Sequence, residues 1–271
     1  MSWTAYRVIL RLLTPMHIGA AKLGNLQTTR PYIPGKALWG GLTARITRDN
    51  PHLGGDYRAI GERVNQELAF SYFYPTTGEE VELWPWDDPD QFAWRFLGSY
   101  ASTALNYSQF SAAEGSLHET EFIAPTTREG QPVNLHGYVC EREGSALPWR
   151  QALERLHLGG ERTYGWGRLA LKTEPTAATA LFGRHAVELR GERPEIVLET
   201  GSSLLAHTQA NGDGAILASG RVTPLVGRET PAASEHGRRL SSAVICWEPG
   251  SKTVADALIA IGSFGIWQRL R

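Results

Sequence analysis

Apolar and polar residues alternate through the opening of the chain. Val8, Leu10 and Leu12 fall on one side and Arg7, Ile9 and Arg11 on the other, the period-two pattern of a β-strand whose second face offers two cations. Thr14-Pro15 ends the strand, because proline has no N–H to give to a ladder. A polar loop runs from His17 to Pro34, and the period then changes. Leu38, Leu42 and Ile46 recur every four residues and predict a helix that opens at Pro34. Residues 117–123 and 132–139 read as strands, with hairpin-like reversals at Thr76-Thr77-Gly78 and Thr127-Arg128-Glu129-Gly130. Pro148 suits the first turn of a short helix over 148–158 with Leu153 and Leu156 inward, and a glycine-rich loop leads from it into a strand over 168–171. Beyond about residue 180 the apolar runs are short and separated by turns, at 187–190, 196–200, 215–226 and 238–247.

The order strand, helix, strands, helix, strand predicts an α+β fold. It is that of a ferredoxin-like (RNA-recognition-motif-like) domain over residues 1–180, with an inserted segment at about 55–147 and a smaller, mostly β unit at 181–271. With 271 residues, 42% of them hydrophobic and 10% aromatic, the chain can bury cores for one large domain or two small ones. Two arginines break the opening apolar run, so it is not a signal peptide, and the apolar stretch over 257–267 is too short to span a bilayer. Cys140 and Cys246 stand far apart in no metal-ligand spacing, so neither a zinc site nor a disulfide framework is expected, and no cofactor. This cysteine usage fits a reducing cytoplasm.

The net charge of −1 conceals an asymmetry. Residues 1–48 hold Arg7, Arg11, Lys22, Arg30, Lys36, Arg45 and Arg48 and no Asp or Glu; residues 49–100 hold ten acids against Arg58, Arg63 and Arg95. One end of the molecule is expected to attract polyanions and the acidic stretch to meet a basic protein partner.

Two irregular segments combine backbone N–H groups, cations and aromatic faces, the mix that suits phosphates and unstacked bases. They are Pro31-Tyr32-Ile33-Pro34-Gly35-Lys36 and Gly159-Gly160-Glu161-Arg162-Thr163-Tyr164-Gly165-Trp166-Gly167-Arg168. Gly165-x-Gly167-x-x-Ala170 matches a dinucleotide fingerprint only formally, since here a helix precedes it and a strand follows. Gly35-Lys36-Ala37 lacks the upstream glycine and the Ser or Thr of a phosphate loop. The glycine loop is therefore either a nucleic-acid contact or a tight turn that packs Tyr164 and Trp166 into the core.

Three places together resemble the RAMP (repeat-associated mysterious protein) superfamily of CRISPR-associated proteins. They are the opening strand with Thr14-Pro15-Met16-His17-Ile18-Gly19, the helix opening Tyr32-Ile33-Pro34-Gly35-Lys36-Ala37-Leu38-Trp39-Gly40, and the loop Gly159 through Arg168. The resemblance covers the first 175 residues. It implies a ferredoxin-like fold that binds CRISPR guide RNA as one subunit of a multiprotein effector. Residues 117–123, Trp247-Glu248-Pro249-Gly250-Ser251 and Gly262-Ser263-Phe264-Gly265 look most like the type III subunit that caps the guide's 5′ handle. The partners so implied are the guide RNA, a large signalling or nuclease subunit and the backbone RAMP subunits.

Family members that cut target RNA carry an acid in the loop after the first strand. This chain has no Asp or Glu between Gly19 and Tyr32, and Asn25, the nearest polar stand-in for that acid, cannot act as a general base or hold a divalent cation as a carboxylate does. A subunit that grips RNA without cutting it is expected. The residues expected to meet RNA are His17, Lys22, Arg30, Tyr32, Lys36, Arg45, Gly159, Gly160, Arg162, Tyr164, Gly165, Trp166, Gly167 and Arg168. Two alternatives stay open. One is a metal-independent endoribonuclease that processes precursor CRISPR RNA with His17 as general base; the other is a scaffold whose two loops are purely structural.

Overall fold

The computed structural model describes residues 2–229 and 239–269. In chain order its first part comprises β1 (Trp3–Leu12), β2 (Gly19–Leu23), β3 (Leu26–Thr29), α1 (Gly35–Asp49), α2 (Tyr57–Glu67), β4 (Leu68–Phe70) and β5 (Tyr74–Thr76). There follow α3 (Pro89–Phe96), β6 (Leu97–Ser102), β7 (Leu105–Asn106), β8 (Ser111–Ala112), β9 (His118–Ile123), β10 (Asn134–Arg142), α4 (Trp149–Leu153), β11 (Leu169–Leu171) and β12 (Thr176–Ala178). The protein is a mixed α/β molecule with few helices and many strands.

The strand expected from the opening alternation is the centre of the main sheet. β1 pairs antiparallel with β10 from Trp3 opposite Arg142 to Arg11 opposite Asn134, and its other edge takes β11 and β12. The order β11-β1-β10-β4 follows, with β5 also on β10. Val8, Leu10 and Leu12 pack one face of this sheet against Leu38, Leu42 and Ile46 of α1 and Leu153 of α4, all fully buried. Trp3, Ala5, Tyr138 and Cys140 carry the other face into a second core with Leu181, Ile196, Ile259 and Trp267 of the C-terminal half. A sheet covered on both sides explains why β10 is buried from Asn134 to Cys140.

The two cations of β1 are spent inside the molecule. The Arg7 guanidinium pairs with Glu79 at 3.1 Å and Glu80 at 2.9 Å, and Arg11 donates to the carbonyls of Pro125 and Val133. The acidic stretch is largely spent too. Glu82 holds Arg95, Glu62 and Glu67 pair one helical turn away with Arg58 and Arg63, and Asp56 and Asp88 cap α2 and α3. Much of the acid surplus thus neutralises neighbours, which leaves less of it for the basic partner expected from the sequence.

Other expectations shift. β4, β5 and β10 lie in the range read as inserted, yet they are ladder partners of the main sheet; residues 77–133 supply α3 and the strands β6 and β9, which join β2 and β3 in the separate sheet β2-β3-β9-β6. The reversals at 76–78 and 127–130 are turns; Thr127 N–H donates to Gln131 O in the second. The helix expected over 148–158 stops at Leu153, because the next residues are drawn into extended pairing. Leu158 N–H donates to Gly167 O and Leu169 N–H to Leu156 O, both at 2.9 Å. The C-terminal half forms an eight-stranded sheet. It includes His185–Glu188, Glu195–Leu198, Val222–Leu225 and Val244–Trp247, close to four of the expected runs; residue 238 lies outside the described residues.

Candidate nucleic-acid interface

The glycine loop is built by backbone contacts that only glycine permits at two points. Gly159 and Gly167 have φ of +84° and +83°, the left-handed region. Gly160 N–H donates to His17 O at 2.9 Å and Gly167 N–H to Pro15 O at 2.7 Å, so the loop is stapled to the chain leaving β1. Within it, Arg162–Tyr164 form one 3-10 turn. The amides of Gly160, Gly165 and Gly167 are committed to protein carbonyls, so this loop presents side chains outward more than the N–H groups expected to meet phosphate. Tyr164 projects with 79% of its surface exposed, whereas Trp166 is half-buried edge-on against Phe122. Of the two aromatics, Tyr164 is the free stacking surface.

Beside the loop lies a cavity of about 340 Å³, bounded by the end of β1, the outer side of α1 and the extended segment after α4. It brings together three expected residues, Arg45, Arg162 and Arg168, with three not singled out as RNA contacts: Arg48, Arg155 and His157. The missed signal was the alternation Arg155-Leu156-His157-Leu158, whose leucines are buried while Arg155 and His157 line the cavity. It is a period-two stretch within the range where the sequence predicts helix. His157 Nε2 is held by Trp166 O.

The structure places the other expected residues elsewhere. His17 is 8% exposed; its Nδ1 donates to Glu121 O at 2.7 Å while its own carbonyl accepts from Gly160. It is a strut between β9 and the glycine loop, and an enclosed ring is poorly placed to serve as a general base. Lys22 is exposed on the β2–β3 hairpin.

Tyr32 is 7% exposed, ringed by Tyr72, Tyr74 and His207, and burial pushes its hydroxyl up to about 12. It is a core residue with no face left for a base, contrary to the stacking role expected. Arg30 reaches Tyr32 Oη at 3.5 Å. Tyr72 Oη and His207 Nδ1 lie 2.8 Å apart, and burial followed by the Arg30 charge pushes His207 down to about 3.

Lys36 lies over the Phe264 ring, and Gly227 approaches so closely that a side chain there would overlap the ammonium. The tail Gly262-Ser263-Phe264-Gly265 covers this helix opening. A Cβ on Gly35 would sit 2.5 Å from Phe264 O, and Asn65 bonds both Ser263 and Phe264. The two segments read as equivalent RNA contacts therefore separate. The glycine loop is open, and the segment 31–36 is a seam between the two cores.

A family model described as the RAMP superfamily matches residues 9–170. No curated protein matches the sequence at a significant level. Among solved structures, a chain of the type III-B Cmr-beta complex bound to cognate target RNA and AMPPnP, state 1, is similar at a TM-score of 0.56 and 13% identity, covering 91% of this chain and 85% of that one. A chain of Cmr-beta bound to cognate target RNA matches at a TM-score of 0.42, with 10% identity, over 62% of this chain and 96% of its own. The likeness to the first is one of fold. No helix among the described residues is long and apolar enough to cross a membrane.

Proposed function

The chain belongs to the RAMP superfamily, and from that premise we propose that it is a non-catalytic, CRISPR RNA-binding subunit of a type III effector complex. It grips the repeat-derived 5′ handle of the guide and bridges to a large subunit and to the backbone RAMP subunits. One observation carries the reading: five arginines line one cavity beside the glycine loop and Tyr164 of that loop is exposed, all within the matched region. Guanidinium forks bind phosphate oxygens in pairs, and an unburied tyrosine stacks on any base, for roughly 1–3 kcal/mol per contact. The order β11-β1-β10-β4, with α1 after β1 and α4 after β10, supports a ferredoxin-like core beneath this surface. The fold shared with a chain of an RNA-bound type III-B complex supports the placement in such an effector.

Ultraviolet crosslinking of the RNA-loaded protein tests the assignment. The peptide carrying Tyr164 is expected to be adducted and the peptide carrying Tyr32 to be clean. A loop peptide free of RNA would favour the scaffold reading.

A further inference from the structure

The cavity beside the glycine loop concentrates positive charge that its own surroundings do not neutralise. Arg45 is paired with Asp49, and the Arg48 Nε donates to the Tyr57 hydroxyl at 3.3 Å. The guanidiniums of Arg155, Arg162 and Arg168 have no hydrogen-bond or ion-pair partner among the described residues. Glu154 is the one carboxylate among the described residues of the wall. Five guanidiniums set against Glu154 and Asp49 leave about three uncompensated charges around 340 Å³. No Phe, Tyr or Trp among the described residues lines the space, and its one imidazole, His157, is tied to Trp166 O; the apolar part of the wall is Leu13, Leu156 and Leu169 with Gly41 and Ala44 on α1. A cavity of this size and lining suits phosphate rather than nucleobase.

We propose that this cavity is a phosphate pocket for an anion of at least two charges within the span of one nucleotide. Resting on the RNA-binding reading, its occupant is a pair of consecutive phosphodiesters at a bend of the guide, or a terminal phosphomonoester. The two sources share one chemistry, the bidentate fork of arginine on non-bridging oxygens. The pocket also gives the glycine loop its place: the loop carries Arg162 and Arg168 into the lining and leaves Tyr164 exposed outside it, where it is free to stack on a base of the same strand.

The test uses the full chain carrying Arg48→Gln and Arg155→Gln. Neither residue is in the glycine loop and both are exposed, so the fold is retained and an unchanged melting temperature verifies it. Three probes are titrated: a short RNA with a 5′-phosphate, the same RNA with a 5′-hydroxyl, and inorganic pyrophosphate.

The double variant is expected to bind RNA about tenfold or more weakly, with the slope of log K against log salt reduced by about 1.4, the value for two lost single-strand phosphate contacts. It should also lose the thermal protection that pyrophosphate gives the unsubstituted protein. A loss confined to the 5′-phosphate RNA identifies a terminal phosphate, and an equal loss for both RNAs identifies internal phosphodiesters. RNA binding that persists with unchanged affinity and slope overturns the pocket while leaving the RNA-binding reading intact. Pyrophosphate protection lost on substitution in a protein that binds neither RNA would keep the pocket and remove the guide as its occupant.

Discussion

Gly167→Ala is expected to lower the melting temperature by about 6–12 °C, whereas Gly165→Ala, two residues away, costs about a third of that. Both glycines are left-handed, at φ +83° and +82°, so both substitutions incur a backbone penalty of about 1–2 kcal/mol. Their surroundings differ. A Cβ at Gly165 meets nothing within 4 Å, while one at Gly167 would fall 1.8 Å from Leu158 O. Leu158 is the residue whose N–H donates to Gly167 O, and Gly167 N–H in turn donates to Pro15 O. Relieving the overlap pulls apart the hydrogen bonds from Leu158 to Gly167 and from Gly167 to Pro15, each worth about 1 kcal/mol. The summed cost is about 3 kcal/mol or more. A thermal melt of the three proteins reads the difference directly, and equal small shifts would show that the loop is not held as described.

Acidification is expected to destabilise the fold steeply below pH 6.5. Burial pushes His136 and His185 down to about 4 and His207 to about 3, in each case with help from a neighbouring arginine: Arg7, Arg184 and Arg30 respectively. The Glu80 carboxylate, 3.7 Å from His136 Nδ1, is mostly exposed and already bound by Arg7, and it does not offset burial. In the unfolded chain these imidazoles take up protons near pH 6.5, but in the folded protein they stay neutral until about pH 4 or below. The unfolded state therefore binds more protons in that window. Stability is fully present above pH 6.5 and is lost as the pH falls toward the folded values, by about 2 kcal/mol per histidine at pH 5. Melting temperatures measured between pH 7.5 and 5 should fall, and His207→Asn should flatten part of the slope. A flat profile would place these rings in contact with water.

The same residues show what a sequence can and cannot disclose. β1 and α1 were legible because Val8, Leu10, Leu12 and Leu38, Leu42, Ile46 keep a strict period and every one of them is buried. α2 was not, since its buried side chains are only Ile60 and Val64 beside Gly61, too few to show a stripe. α3 had readable signals that went unread: Asp88 caps it, Pro89 opens it, and Phe92 and Phe96 lie four apart. In the site, the motif around Arg162, Tyr164 and Arg168 stood out because glycine, cation and aromatic residues crowd one short loop.

Tyr32 and Lys36 were misplaced for a different reason. What covers them is Phe264 and Gly227 for the lysine and His207 for the tyrosine, contacts some 175 to 230 residues away in sequence that no local pattern encodes. The charge asymmetry misled in part as well. Local pairs such as Arg58–Glu62 and Arg63–Glu67 are readable as one-turn helical spacings once the helix is known, while Arg7 with Glu79 and Glu80 needs the folded sheet.

The most direct measurement is to purify the tagged protein from cells expressing its native gene neighbourhood and sequence the RNA that accompanies it. A discrete small RNA with a shared repeat-derived 5′ end, in stoichiometric company with larger subunits, is the expected result. Recovery of the protein without RNA, with its neighbours found elsewhere, would contradict the guide-gripping role.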